Sequence, residues 1–358
     1  MIEILQKHLA SYPKMQIRDA AKLLYQSEFG GGHMIANPDM SLKRIHEEFV
    51  SLDSHTLNSV NVLEPIGNDI YRIYLSSLSN GLTEETLNQM FVQSANHKKG
   101  TVVALEHKIE DVLNACREGT LQFSETSADE FFAEWKSQGY PAISHSEVYR
   151  NNYFPAYRVI EGNYARLYEI IQEIYLTLTN VGNLPLVIAV DGMSGSGKST
   201  LAELLHKNFP ESNLFHMDDY FLQPYQRTKE RLLEVGGNVD YERFKKEILD
   251  CLGNKSGLNY RRYNCCTQEL EEYIHVPWKP LVIIEGSYSQ HPYFGNAYDM
   301  KIFCEVSAKT QRKRILKRNG EYMLQRFEEE WIPKENSYFE KFNIKKNADF
   351  FVNETPRH

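Results

Sequence analysis

The segment Gly192-Met-Ser-Gly-Ser-Gly197-Lys198-Ser199 constrains this chain more than any other stretch. It has the pattern G-x-x-x-x-G-K-[ST]. Glycines let a backbone turn tightly enough for successive N–H groups to surround an anion. In such a turn Lys198 brings positive charge to the distal phosphates of a nucleotide, and Ser199 brings a hydroxyl to magnesium. The candidate nucleotide-contacting set is Gly192, Ser194, Gly195, Ser196, Gly197, Lys198, Ser199 and Thr200. From average residue usage, the bare pattern arises by accident in about one chain in a hundred. Its neighbours narrow that. The apolar run Leu186-Val-Ile-Ala-Val190 ends just before it, and Thr200-Leu-Ala-Glu-Leu-Leu205 reads as a helix just after it. A helix opening near Lys198 would also turn its positive dipole end toward the anion.

Two further apolar runs, Leu281-Val-Ile-Ile284 and Met300-Lys-Ile-Phe-Cys304, alternate with helical stretches. Runs that are apolar on both faces belong to buried parallel strands, so the expected architecture is an α/β parallel sheet of the P-loop NTPase kind, flanked by helices. The first half reads differently. Ile17, Ala20, Ala21 and Leu24 recur at helical spacing, and Gly30-Gly31-Gly32 should stop that helix. Leu42, Ile45 and Phe49 continue the pattern, as do Leu105, Ile109, Val112 and Cys116. Thr83 before Glu84 and Glu85 reads as a helix start. Ser127-Ala-Asp-Glu130 reads as a capping box, with a stop at Gly139 before Pro141. The expected organisation is therefore a mostly α-helical domain over 1–160, a connecting helix and turn over 161–183, and a P-loop domain over 184–358.

The chain's 358 residues suit two domains. A net charge of −8 argues against general nucleic-acid binding, which needs a basic excess. Five cysteines without C-x-x-C or zinc spacing read as reduced thiols. The N-terminal stretch has no apolar core of a secretory signal, and no run is long enough to span a membrane. The expectation is a cytoplasmic protein with a small-molecule substrate and with neither nucleic-acid nor membrane partners; assembly with further copies of itself is left open.

Which P-loop chemistry fits? The closest string to the guanine motif N-K-x-D, Asn254-Lys-Ser-Gly257, lacks the aspartate. The strand from Leu281 ends in Glu285-Gly286 rather than in aspartate, as a motor-type ATPase strand usually does. Small-molecule kinases remain. Phe215-His-Met-Asp218-Asp219-Tyr220-Phe221 resembles the aspartate-plus-aromatic segment of the uridine kinase and phosphoribulokinase family. Other segments follow in that family's order: Asn238-Val-Asp240-Tyr-Glu-Arg-Phe244, Arg262-Tyr263-Asn-Cys, Ile283-Ile-Glu285-Gly286 and the arginine-rich Arg312-Lys-Arg314-Ile-Leu-Lys-Arg318. The resemblance runs from about 184 to the C-terminus and leaves the first 160 residues uncovered.

That resemblance implies ATP and Mg2+ as cofactors and a hydroxyl-bearing acceptor, with a nucleoside in first place. Asp218 would be the general base, beside Lys198 and the lid arginines Arg314 and Arg318 as catalytic groups. Asp218, Tyr220, Asp240, Tyr263, Gln268 and Glu285 would face the substrate, and Ser199 and Glu285 the metal. Uridine kinases carry a histidine a few residues after the base-side tyrosine; here Thr267 or Gln268 stands there, and the lid is shortened around Asn319-Gly320. Nicotinamide riboside, pantothenate and sugars are therefore alternative acceptors. A regulatory NTPase with a helical partner-binding domain is the alternative of another class. In the first half, His33, Lys98, His145 and Arg150 form a candidate second site for an anion, against the plainer reading that they are loop residues satisfied by their neighbours.

Overall fold

The structure is a computed structural model, and it describes residues 1–31, 35–52, 62–97, 100–179, 182 and 184–353. The chain divides into two compact units, Met1–Tyr168 and Glu169–His358.

The N-terminal unit is mainly helical. Its helices are α1 (Ile2–Ser11), α2 (Ile17–Phe29), α3 (Pro38–Val50), α4 (Glu84–Asn96), α5 (Val102–Arg117), α6 (Glu125–Ser137) and α7 (Glu147–Tyr153). The division between units falls within α8 (Gly162–Leu178). As expected, α2 stops at Gly30 and the Thr83 hydroxyl caps α4 by accepting from the Thr86 N–H. The start of α6 differs from expectation. Its cap is Ser124, which accepts from the Ser127 N–H, so the supposed capping box lies one turn inside the helix. Leu23 and Leu24 of α2, Leu105 and Val112 of α5, and Phe132 and Trp135 of α6 share one core.

A three-stranded antiparallel sheet escaped the sequence reading. It is ordered β1 (Leu63–Gly67), β2 (Ile70–Tyr74), β3 (Tyr157–Glu161). Asn68 and Asp69 between the first two strands both have positive φ, at 53° and 56°, which is the backbone of a type I′ hairpin turn. Their short polar side chains tolerate that conformation.

In the C-terminal unit, β4 (Leu186–Gly192), β5 (Ser212–His216), β10 (Leu281–Glu285), β11 (Met300–Glu305) and β12 (Phe350–Asn353) form a parallel sheet in the order β12-β11-β4-β10-β5. Every residue of β4 and of β10 is buried, as their unbroken apolar runs require. Fully burying each Leu, Val or Ile side chain of these runs contributes about 1.5–3 kcal/mol. The other elements are α9 (Lys198–Asn208), α10 (Lys229–Leu233), α11 (Tyr241–Glu247), the short strands β6 (Leu258–Tyr260), β7 (Tyr263–Asn264), β8 (Glu269–Leu270) and β9 (Ile274–Val276), then α12 (Ala308–Arg326) and α13 (Ile332–Lys341).

Strand order positions the site. After β4 the chain crosses through α9 to the edge strand β5, while β11 lies on β4's other side. The order therefore reverses at β4, and ligands of open parallel sheets sit at the carboxyl ends beside such a reversal.

Candidate active site

The loop after β4 is shaped by its glycines. Gly192 has φ 143°, and a Cβ there would lie 2.0 Å from the Cys304 carbonyl oxygen of β11. Only glycine lets the two strands approach this closely. Gly197, at φ 98°, opens α9. The Ser196 N–H donates to the Met193 carbonyl at 3.0 Å, and Lys198 Nζ donates to the same oxygen at 3.2 Å. The ammonium group is thus folded over the loop at the N-terminus of α9.

The neighbouring strands place acids against this loop. Glu285 pairs in register with Val190 on one side and His216 on the other. Its Oε2 accepts from the Ser199 hydroxyl at 3.2 Å, and its Oε1 accepts from His216 Nδ1 at 2.7 Å. That hydrogen bond holds the His216 imidazole above its ordinary pKa, despite burial. A serine hydroxyl joined to a buried carboxylate at the loop is a fitting donor set for Mg2+, which takes one or two protein oxygens and leaves the rest to water and phosphate. Among the described residues no group of three or more His, Cys, Asp or Glu side chains gathers as a metal cage.

Asp218 follows the end of β5 in a short 3-10 turn, Met217–Tyr220. Its carboxylate makes no hydrogen bond to any described residue and caps no helix. Solvent reaches it from the cavity, while protein atoms crowd its other sides. Burial and then the Glu285 charge push its pKa above the usual carboxylate range, with Lys198 and His216 pulling the other way.

A cavity of about 200 Å³ joins these groups. Ser194, Gly195, Lys198 and Ser199 line it, together with Asp218, Glu285 and Arg318. Gly192, Ser196, Gly197 and Thr200 form the loop and first helical turn behind that lining. Arg314 stands elsewhere: it donates to the Gly195 and Ser196 carbonyls, both at 3.1 Å, and so braces the loop from α12. Arg312 pairs with Glu328. At Asn319-Gly320, where the lid reads as shortened, α12 is kinked, with Gly320 at φ 79°.

Four residues expected at the substrate are placed away from the cavity lining. Tyr220 is fully buried; its ring packs edge-on against Phe244 and its hydroxyl donates to Glu247. Asp240 is buried as the cap of α11, accepting from the Arg243 N–H and paired with that residue's guanidinium. Tyr263 is buried and its hydroxyl accepts from Arg227 at 2.7 Å. Gln268 is exposed, at φ 60° in the turn between β7 and β8. In each case the aromatic or polar group is taken up by a local partner or a turn. Asn238 and Val239, beside Asp240, do reach the cavity.

Sequence reasoning missed Glu335. This buried carboxylate of α13 accepts from the Ser194 N–H at 2.9 Å and the Ser194 hydroxyl at 2.6 Å, and from the Ser287 hydroxyl at 2.7 Å. Phe327 and Trp331, in edge-to-face contact at 4.5 Å, and Tyr288 add an aromatic wall. A lone glutamate in a charged helical stretch carries no local signal, so these residues could not be singled out from spacing.

No family model matches the chain. A 118-residue stretch, 33% of this chain, is 26% identical to uridine-cytidine kinase C of Dictyostelium discoideum. The stretch spans 26% of that relative's length. Among solved structures, a possible uridine kinase from Bacillus stearothermophilus aligns at TM-score 0.39 and 20% identity, covering 51% of this chain and 99% of the other. D-glycerate 3-kinase from Cryptococcus neoformans aligns at TM-score 0.37 and 14% identity, covering 48% and 86%. In sequence, part of this chain is similar to a uridine–cytidine kinase, and its C-terminal unit holds a parallel sheet flanked by helices, with the G-x-x-x-x-G-K-S loop following β4.

Proposed function

We propose that the C-terminal unit is an ATP- and Mg2+-dependent kinase that phosphorylates a hydroxyl of a small metabolite, with a nucleoside as the leading acceptor. The observation that carries this reading is the shared cavity: the glycine loop with Lys198 lies on one wall and the carboxylate of Asp218, which hydrogen-bonds no described residue, on another. Phosphoryl transfer asks mainly for positioning and charge neutralisation. Loop N–H groups and Lys198 hold the nucleotide's phosphates, and Ser199 with Glu285 holds the metal, which when bound neutralises phosphate charge. Asp218 accepts the proton of the acceptor hydroxyl as its oxygen bonds to the terminal phosphorus. The bond from that phosphorus to the bridging oxygen breaks, leaving ADP. Arg318 faces the cavity and stabilises charge there, while Arg314 acts through the loop it braces. The aromatic wall of Tyr288, Phe327 and Trp331 suits a flat acceptor ring and limits water.

The similarity to a uridine–cytidine kinase supports a nucleoside, whereas the positions of Tyr263 and Gln268 outside the cavity lining lend no support to uridine in particular. Incubation with ATP, magnesium and a panel of nucleosides, nicotinamide riboside, pantothenate and sugars, followed by ion-exchange separation, tests the reading. A phosphorylated acceptor is the expected product. ATP hydrolysis unchanged by every acceptor would favour a regulatory NTPase instead.

A further inference from the structure

The N-terminal unit carries a half-open cavity of about 630 Å³ that the kinase reading leaves unused. Small-molecule sites commonly measure about 300–1,000 Å³. Two buried polar side chains face it, Gln26 and His145. His145 is fixed from both sides. Its Nδ1 lies 2.9 Å from Asp19 Oδ1 and its Nε2 lies 2.7 Å from the Tyr157 hydroxyl. Its ring stacks on Tyr149 at 4.2 Å. Asp19 is held in turn by the Ser146 N–H and hydroxyl, at 2.8 and 2.6 Å. Gln26 accepts two hydrogen bonds from the buried Arg72, at 3.1 and 2.9 Å. This wall is built rigidly, as a recognition surface needs to be.

Three cations line the same space: Lys22, Arg44 and Arg158. Arg158 pairs with Glu48 at 2.8 Å. Lys22 donates to the Ile143 carbonyl at 3.2 Å, and no carboxylate of the described residues is within ion-pair distance of it. Arg44 is exposed and has no ion-pair partner among the described residues. Ile35, Met40, Phe91 and Val159 form the apolar part of the lining. Two cations, Lys22 and Arg44, without an ion-pair partner among the described residues, beside Arg158 and an apolar wall, are complementary to an anion carried on an apolar body.

We propose that this cavity is a second ligand site, which binds a small anionic metabolite through Lys22, Arg44 and Arg158, with Gln26 and Tyr157 orienting it and the apolar wall taking its body. The anion is a phosphomonoester or a carboxylate. The sequence reading had grouped His33, Lys98, His145 and Arg150. Of these, His145 lines the cavity, Arg150 is exposed on α7 and does not line it, and His33 and Lys98 lie outside the described residues.

The electrostatics of Lys22 agree. Burial lowers its pKa to about 8, with Arg72, Arg150 and Arg18 pushing the same way and Asp19 opposing them. Burial likewise takes His145 down to about 4, so the imidazole is neutral near pH 7 and the cavity's charge comes from Lys22 and the arginines. A bound anion favours the ammonium form, so binding raises the Lys22 pKa and takes up protons at pH 8–9.

Calorimetric titration of the full-length protein with phenyl phosphate, uridine monophosphate and benzoate, at pH 8.5 in buffers of different ionisation enthalpy, tests the site. At least one probe should bind with proton uptake. Preference for the phosphates or for benzoate identifies the anion. Arg44→Ala, on the surface, and Lys22→Met should each weaken binding at least tenfold, and Lys22→Met should abolish the uptake. Lys198→Ala should leave both unchanged, which separates this site from the glycine loop. Met40→Trp, at the half-exposed rim, should obstruct entry without removing charge. Absence of binding at 5 mM probe, or binding lost in Lys198→Ala and intact in Lys22→Met and Arg44→Ala, would overturn the proposal.

Discussion

Asp218→Asn separates chemistry from structure more cleanly than any other change at the cavity. The native carboxylate makes no hydrogen bond to a described residue, so the amide breaks none. It also carries a raised pKa, from burial first and the Glu285 charge second. A carboxyl that holds its proton more tightly when folded weakens the fold above its folded pKa; that cost vanishes as pH falls toward the unfolded value. The neutral amide removes the cost, so unfolding at pH 7 should be unchanged or slightly harder by urea titration. Nucleotide affinity should be kept or improved, since one negative charge near the phosphates is gone. Turnover should fall sharply: a positioned general base contributes about 10²–10⁴-fold. In the wild type, kcat/KM should rise with pH as Asp218 ionises and then level off, while the variant lacks that limb. Steady-state kinetics of the acceptor-dependent reaction from pH 4 to 8 give the readout. A variant within tenfold of wild-type turnover would refute the assignment of Asp218 as base.

Three further outcomes are expected. Lys198→Ala should lose at least a hundredfold in transfer, since one charge-stabilising donor is commonly worth about 10²–10³-fold; coupled ADP detection would measure it. Gly192→Ala should destabilise the C-terminal unit by about 2–3 kcal/mol in urea titration, combining a positive-φ backbone penalty of about 1–2 kcal/mol with a lost or stretched strand contact of about 1 kcal/mol, and an equally stable variant would refute the close approach to Cys304. Asp191 is fully buried, accepts from the Tyr338 hydroxyl, the Gln290 N–H and the Gly192 N–H, and is pushed up to about 6 by burial. Its folded pKa lies above its unfolded value, so its ionisation weakens the fold as pH rises from about 4 to about 6. The stability difference between wild type and Asp191→Asn should therefore shift in favour of the variant across that window and stay flat above it; denaturation series at several pH values would show otherwise if the group ionises normally.

Local sequence carried three strands of the sheet, β4, β10 and β11, and the loop because their determinants are contiguous. The unbroken apolar runs of β4 and β10 can only be buried strands, and Gly192 to Ser199 lies between a strand and a helix as its pattern demands. The β1–β2 hairpin left a weak local signal: Asn68-Asp69 suits its turn, but Leu63-Glu-Pro-Ile66 and Ile70-Tyr-Arg-Ile73 do not alternate apolar with polar residues. Tyr220, Asp240 and Tyr263 show the harder limit: a tyrosine that hydrogen-bonds Glu247 and one placed to meet a ring look alike until the partner is known. Glu335 reaches Ser194 across more than a hundred positions of chain, and the Lys22 cavity assembles α2, α3 and β3. Long-range contacts of that kind leave no spacing to read.

Stoichiometry tests the central claim most directly. With ATP, magnesium and the best acceptor of the panel, each ADP formed should be matched by one phosphorylated acceptor, and omitting the acceptor should nearly stop ADP formation. ADP released at the same rate with and without every acceptor, and no phosphate ester formed, would contradict the account.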